Sequence, residues 1–138
     1  YRNMSLYESG RFALLKGRIL GEWKGFSGWA FEEMARTLLA RNLAEGYEEI
    51  GTWWNRRGDE IDLLAFGPEG SLAIEIKNRD LTLGEARAIL AALGEKIPLI
   101  KGLAGPVTTG IAARTIEGRE ELATEGFYTA DLGDIRRI

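Results

Sequence analysis

The stretch NRRGDEIDLLAFGPEGSLAIEIKNR, residues 55–79, decides how the fold is interpreted. Two short apolar runs flank a GPEGS turn at residues 67–71, a pattern that predicts two strands joined as a hairpin. Charged residues interrupt both runs, since Asp62 lies within the first and Glu75 and Lys77 within the second. Two carboxylates and an ammonium on adjacent strands therefore need a physical explanation.

Strand periodicity places these charges. Side chains two positions apart in a strand share a face, so we expect Glu75 and Lys77 to point the same way. The apolar residues expected on the other face of that strand are Leu72, Ile74 and Ile76. On the preceding strand, Asp62 is expected opposite the face that holds Ile61, Leu63 and Ala65. In a hairpin closed by the 67–71 turn, Asp62 and Glu75 then approach each other at the end away from the turn.

Two interpretations of this charge pattern follow from the residues alone. Two carboxylates held close together repel unless a cation joins them, and Mg²⁺ takes one or two carboxylates together with waters and a phosphate. A nearby lysine can orient or deprotonate an attacking water, or stabilise developing phosphate charge. The alternative is an ordinary solvated strand face with a cross-strand ion pair.

Composition limits the chemistry available. The chain has 138 residues, enough for one domain with its own core, and it contains neither cysteine nor histidine. Disulfides, thiolate metal sites, zinc–histidine sites and Ser-His-Asp catalysis are therefore excluded. A formal net charge of −3 gives no strong overall electrostatic case for nucleic-acid binding. No signal peptide or membrane-spanning run is evident, so we expect a cytoplasmic location and no membrane association.

The predicted elements follow the order α-β-β-β-α-β-α-β. This order favours an α/β fold, a mixed sheet flanked by helices on both faces. Residues 11–20 lean helical, and Ser27 is a candidate cap for a helix that continues to about residue 43. Residues 47–77 are predicted to form an antiparallel meander, Thr82 to start the second helix, and residues 127–135 to close the domain as a strand and turn. Of the adjacent residues Trp53 and Trp54, one is expected to pack into the core.

The segment GDEID, the turn and then IEIK, all preceded by the glutamate-bearing FEEMARTLL segment, resembles the PD-(D/E)xK nuclease superfamily. The resemblance implies a restriction-endonuclease-like α-β-β-β-α-β core, with Asp62 as the motif aspartate and Glu75 and Lys77 as the E-x-K pair. A branch of the superfamily that includes archaeal Holliday-junction resolvases adds a glutamate on the first helix, a place that Glu32 or Glu33 fits. We prefer Glu32, because residues three and seven positions later lie in the apolar face of the predicted helix.

A narrower resemblance rests on GTWWNRRGDEIDLLA, with FEE before it and IEIK after it. This block is similar to the uncharacterised C-terminal domain of archaeal P-loop ATPases, over roughly residues 28–135. The resemblance implies that ATPase and winged-helix segments of the same full-length chain are partners of this domain. It also implies a division into a lead-in from a larger protein, residues 1–27, and a nuclease-like domain, residues 28–138.

The function that these resemblances imply is a metal-dependent DNA endonuclease. Mg²⁺, or Mn²⁺, is the expected cofactor, with Glu32, Asp62 and Glu75 as its ligands. The catalytic residues would be Asp62, Glu75 and Lys77, with Lys77 acting on the attacking water. The alternative is a nuclease-fold module without catalysis that docks the ATPase to DNA or to a protein.

Three arginines are candidates for contact with DNA, which is the expected partner. Arg56, Arg57 and Arg79 lie close in sequence to the candidate catalytic residues and fit phosphate contact and a plain solvated surface equally well. A homodimer is a further arrangement that the sequence leaves open.

Overall fold

The computed structural model describes residues 4–6, 28–103 and 105–138 of the chain. The described residues form one six-stranded sheet in which strand order follows chain order. The strands are β1 (Met4–Leu6), β2 (Glu49–Trp54), β3 (Glu60–Gly67), β4 (Gly70–Leu81), β5 (Val107–Ile116) and β6 (Tyr128–Ala130). The helices are α1 (Gly28–Leu43), α2 (Leu83–Lys96), which continues into a 3₁₀ turn at Ile97–Leu99, α3 (Arg119–Thr124) and α4 (Leu132–Arg137).

The sheet is mixed. Strands β1 to β4 pair antiparallel, whereas β4, β5 and β6 pair parallel. Helix α2 lies between β4 and β5 in the chain and helix α3 between β5 and β6, as parallel neighbours require a crossover. The predicted meander and the predicted order of elements from residue 28 onwards are confirmed. The chain end differs from the prediction, because helix α4 forms where only a turn was expected.

Helices cover both faces of the sheet. On one face, Leu38 of α1 and Ile135 of α4 belong to a buried cluster with Leu63, Ile74 and other sheet residues. On the other face, α2 packs against the sheet in two further clusters, one of which also takes in Leu122 of α3. The predicted α/β class, with a mixed sheet flanked by helices, is confirmed. None of the helices in the described part of the chain is long and apolar enough to span a membrane.

Local chemistry fixes the ends of these elements. The hairpin between β3 and β4 closes where Gly67 pairs with Gly70, and Gly70 adopts a φ of 149°. A Cβ atom on Gly70 would lie 2.8 Å from the carbonyl oxygen of Pro106, so this position has no room for a side chain. Thr82 caps α2 as predicted, because its hydroxyl accepts a hydrogen bond from the backbone N–H of Glu85 while the Glu85 carboxylate accepts one from the backbone N–H of Thr82.

The segment that precedes α1 is described only at Met4–Leu6. These residues form β1, which pairs antiparallel with β2 at one edge of the sheet. The helix expected at residues 11–20 and the cap expected at Ser27 lie outside the described residues.

The two adjacent tryptophans divide as predicted. Trp53 is buried and packs in the cluster beneath α2, whereas Trp54 is 41% exposed. Both lie at the end of β2 that leads into the turn carrying Arg56 and Arg57. The exposed indole therefore lies a short distance along the chain from two exposed arginines.

Candidate metal and catalytic site

A β-bulge in β3 shapes the region around Asp62. Gly51 pairs with Leu64 and Trp53 pairs with Ile61, so one intervening residue of β2 faces two of β3. The extra residue reverses the alternation of side chains. Leu63 therefore packs beneath α1, whereas Ile61 and Leu64 pack beneath α2. The prediction that Ile61 shares a face with Leu63 is thus wrong, because strict two-residue alternation fails where a bulge inserts a residue.

At the bulge, Asp62 forms hydrogen bonds with residues of α1, β2 and β4. The carbonyl oxygen of Asp62 accepts hydrogen bonds from Arg36 Nε of α1 at 3.0 Å and from Thr52 Oγ1 of β2 at 3.2 Å. Its carboxylate oxygen Oδ2 accepts the backbone N–H of Ile76 in β4 at 2.8 Å. The Asp62 carbonyl oxygen and the Ile76 N–H thus form hydrogen bonds with side chains at the bulge, as expected for polar backbone groups that are shielded from water.

Glu75 lies next to this junction. Because Leu63 pairs with Ile74, the next residues in that register are Asp62 and Glu75. Glu75 is only 7% exposed, and it is the one charged residue in the described part of the chain that is buried. Its Oε1 atom lies 3.2 Å from Nζ of Lys96, at the C-terminal end of α2. Lys96 Nζ also donates to the carbonyl oxygen of Glu60 at 2.8 Å, so it joins α2 to both strands.

The pKa of Glu75 records how unfavourable this position is for a charge. Burial is the main cause that raises this pKa, and the neighbouring carboxylate of Asp62 raises it further. The Lys96 ammonium opposes both effects, but the pKa still rises from 4.5 to about 7. Without an additional cation, the Glu75 carboxyl is therefore protonated in a large fraction of molecules at neutral pH.

Glu32 of α1 is a further charged residue of this site. We refer to the charged residues of the site together as the cluster: Glu32, Arg36, Asp62, Glu75, Lys77 and Lys96. Burial raises its pKa, and the charges of Asp62 and Glu60 raise it further, whereas the Lys77 ammonium lowers it. Asp62 is thus the common neighbour of Glu32 and Glu75, and Lys77 lies within electrostatic reach of Glu32.

Glu33 has a different environment from Glu32. It is half-buried, and it binds Arg36 Nη1 at 2.6 Å. Glu33 is therefore engaged in an ion pair within α1. This difference favours Glu32 over Glu33 as the helix carboxylate of the site.

The donor chemistry of the site fits a hard divalent cation. Asp62 and Glu75 offer carboxylate oxygens side by side, and their repulsion would be relieved by a cation between them. Among the residues that the structure describes, no three carboxylates are arranged so as to hold a metal ion together. Mg²⁺ commonly uses one or two carboxylates and keeps its remaining waters. Two neighbouring carboxylates, Asp62 and Glu75, are the donors that the structure brings together, and metal binding by Glu32, Asp62 and Glu75 stays a prediction.

Lys77 differs from the other cations of the cluster. It is half-buried on β4, and within the described ranges its ammonium has no hydrogen bond or ion pair. Arg36 and Lys96, by contrast, are both committed to carboxylates. Among the described residues, Lys77 thus differs from Arg36 and Lys96 in that its ammonium forms no ion pair with a carboxylate.

The arginines predicted to contact DNA have unequal surroundings. Arg56 and Arg57 are exposed in the turn between β2 and β3, which Asn55 closes by bonding to Asp59. Arg79 is also exposed, but its guanidinium lies 3.5 Å from the Glu85 carboxylate. Arg56 and Arg57 are thus the more accessible pair for a phosphate.

Sequence reasoning missed two residues of this site, Arg36 and Lys96. Arg36 follows Glu32 by four positions and Glu33 by three, and this helical spacing was a usable signal for an ion pair. Lys96 is 21 positions from Glu75, and only the path of α2 back across the sheet brings them together. No local pattern could have identified Lys96.

Comparison with known proteins gives a family for this chain. Residues 1–89 match DUF234, a family described as archaeal and bacterial proteins of unknown function. The matched stretch contains Glu32, Asp62, Glu75 and Lys77 and ends within α2, before Lys96. No curated protein and no solved structure matches the chain significantly. Because the family match covers more than half of the 138 residues, the chain belongs to this family of archaeal and bacterial proteins.

Proposed function

We propose that this domain is a metal-dependent DNA endonuclease of the PD-(D/E)xK type. The observation that carries the proposal is the meeting of Asp62 and Glu75 at the bulged end of a hairpin, with Lys77 two positions beyond Glu75 on the same strand. A purely structural sheet would not need to bury a glutamate beside an aspartate, because each carboxylate makes ionisation of the other less favourable. Such paired carboxylates are a common basis of metal-assisted phosphodiester hydrolysis.

Each residue would have a defined role in the reaction. Asp62 and Glu75 would hold Mg²⁺ or Mn²⁺, with Glu32 approaching from α1. The bound ion would supply Lewis acidity towards a phosphate oxygen and make a coordinated water easier to deprotonate. Lys77 would hold the attacking water and stabilise negative charge that develops on the phosphate.

The rigidity of the site also supports the proposal. Asp62 is fixed by hydrogen bonds from the Ile76 amide and from Arg36, which come from different elements. Catalytic groups that are held in place before the substrate binds need less reorganisation during the reaction. The exposed pair Arg56 and Arg57 lies at the start of the strand that carries Asp62, where it could contact the DNA backbone.

Cleavage measured on matched variants tests the proposal. Labelled linear and branched DNAs would be incubated with wild type, Glu75→Gln and Lys77→Ala in Mg²⁺ or Mn²⁺, with circular dichroism as a folding control. We expect metal-dependent cleavage by wild type and a loss of at least about a hundredfold in both variants. Exposed Lys101 provides a matched control, and Lys101→Ala should cut like wild type.

A docking module without catalysis is the second candidate function. One observation favours it: Arg36 and Lys96 already pair with Asp62 and Glu75, so the cluster could serve only to join α1 and α2 to the sheet. In that case wild type would bind DNA without cutting it. Reversing the charges of Arg56 and Arg57 would then weaken binding more than Glu75→Gln or Lys77→Ala does.

We also propose that the domain acts as the C-terminal part of a larger archaeal ATPase. The support is the similarity of the GTWWNRRGDEIDLLA block and its flanking motifs to such domains. Co-purification of the full-length protein with DNA, with and without ATP, tests whether nucleotide turnover affects the state of the DNA. DNA binding that is identical with and without ATP would contradict a link between ATP turnover and DNA binding.

A further inference from the structure

We propose that Lys96 is the internal counter-ion of the metal-free site, and that it competes with the metal ion for Glu75. This inference rests on the proposed function, because it assigns a role to a residue beside the proposed metal ligands. It concerns a residue outside the D…E-x-K pattern, on a helix that the pattern does not include.

The geometry of Lys96 supports this role. Its Nζ atom lies 3.2 Å from Glu75 Oε1 and 2.8 Å from the carbonyl oxygen of Glu60. Carboxylate and carbonyl oxygens are also the ligands that a hard cation selects, so the ammonium holds a position with the donor chemistry of a metal site. Lys96 is the last residue of α2, and its side chain is 29% exposed. The ammonium can therefore move into solvent without disturbing the buried face of α2.

Arg36 does not share this property. It donates to the Asp62 carbonyl oxygen at 3.0 Å and pairs with Glu33 at 2.6 Å, and its side chain is only 13% exposed. The guanidinium is thus built into the bulge of β3. Of the two cations paired with the proposed ligands, Lys96 is the displaceable one and Arg36 the fixed one.

Two consequences follow for metal binding. A divalent ion that binds between Asp62 and Glu75 must displace the ammonium or tolerate its repulsion, so Lys96 lowers the affinity for the metal. In the absence of metal, Lys96 offsets part of the charge on Glu75, and its removal should leave the site less stable. Lys96 therefore lowers the affinity of the site for metal and raises the stability of the metal-free protein.

Calorimetry on three variants tests the inference. Mn²⁺ and Mg²⁺ would be titrated into wild type, Lys96→Met, Lys96→Arg and the exposed control Lys101→Met, at pH 8.5 so that protons compete little for Glu75. We expect Lys96→Met to bind metal about tenfold more tightly than wild type. Lys96→Arg, which keeps the positive charge, and Lys101→Met, which removes an exposed charge that solvent screens, should bind within about threefold of wild type.

A second readout keeps the test independent of activity. In chelator, Lys96→Met should unfold at a lower temperature than wild type, and saturating Mn²⁺ should raise its unfolding temperature by more than it raises that of wild type. If Lys96→Met fails to fold in chelator, Lys96→Gln replaces it in both measurements.

The outcomes separate the inference from the proposed function. Wild type that binds metal while Lys96→Met binds it no more tightly overturns the role of Lys96 and leaves the nuclease proposal standing. Absence of metal binding in wild type and in every variant overturns both. Binding that becomes measurable only in Lys96→Met supports the competition directly.

Discussion

Replacement of Glu75 by glutamine should remove the loss of stability that the metal-free wild type undergoes between about pH 4.5 and pH 7. Burial and the Asp62 carboxylate raise the pKa of Glu75 from 4.5 to about 7, so the folded state holds this proton more tightly than the unfolded state does. The favourable contribution of the protonated carboxyl is fully present below pH 4.5, and it is lost as the pH rises to about 7. Glutamine keeps the shape of the protonated carboxyl and cannot ionise.

The size of the effect follows from the pKa difference. One pKa unit corresponds to about 1.4 kcal/mol, so the change from 4.5 to about 7 corresponds to about 3 kcal/mol. Between pH 4 and pH 8, the free energy of unfolding of Glu75→Gln should therefore improve relative to wild type by about 3 kcal/mol. The attraction between Lys96 and the ionised Glu75 is already contained in the pKa of about 7. Lost contacts that do not depend on pH shift both values equally and do not enter this difference.

Urea unfolding in chelator, followed by circular dichroism at pH 4, 6 and 8, measures this quantity. Glu69 lies exposed in the turn between β3 and β4, so Glu69→Gln is a matched control that should follow wild type within about 0.5 kcal/mol. If the difference between Glu75→Gln and wild type does not change with pH, the interpretation of Glu75 as a destabilised buried carboxylate is refuted.

Three further predictions concern the fold around the site, and thermal or urea unfolding checks each of them. Gly110→Ala should destabilise the protein by about 1–3 kcal/mol, because the new Cβ would lie 2.7 Å from Cβ and the carbonyl oxygen of Tyr128 on the neighbouring strand; wild-type stability would contradict this close packing. Trp53→Ala should cost about 3–5 kcal/mol, whereas Trp54→Ala should cost under about 1 kcal/mol, because only the first indole is buried; equal losses would refute the assignment. Arg36→Met should lower the free energy of unfolding by about 2–4 kcal/mol, because it removes the donor to the Asp62 carbonyl oxygen in the bulged strand. A decrease no larger than that caused by replacing an exposed arginine would contradict this role.

The sequence predicted those parts of the fold that depend on local patterns. The GPEGS turn, the Thr82 cap and the meander all follow from residue types with strong local preferences, and the structure contains each of them. The approach of Asp62 to Glu75 was also predicted from the hairpin, and the two carboxyl groups are neighbours in the structure. These features need no knowledge of how distant segments pack.

The bulge in β3 could not be predicted in the same way. The run IDLLAF is apolar at five of its six positions, so its sequence does not show which residues share a face. The position of the bulge is set by the opposing strand β2 and by the two side chains that bind the Asp62 carbonyl oxygen, Arg36 and Thr52. Lys96 was missed for a similar reason, because its approach to Glu75 depends on the packing of α2.

Binding of Mn²⁺ and Mg²⁺ to wild type and to Asp62→Ala, measured by calorimetry at pH 8.5, tests the central claim most directly. Asp62 links the two other carboxylates of the cluster, and a cation site must depend on it, whereas a cluster of structural ion pairs need bind no cation. We predict that wild type binds either ion with a stoichiometry of about one or two per chain and that Asp62→Ala, still folded by circular dichroism, binds at least about tenfold more weakly. Wild type that binds neither ion, or a folded Asp62→Ala variant that binds both as wild type does, would contradict the claim.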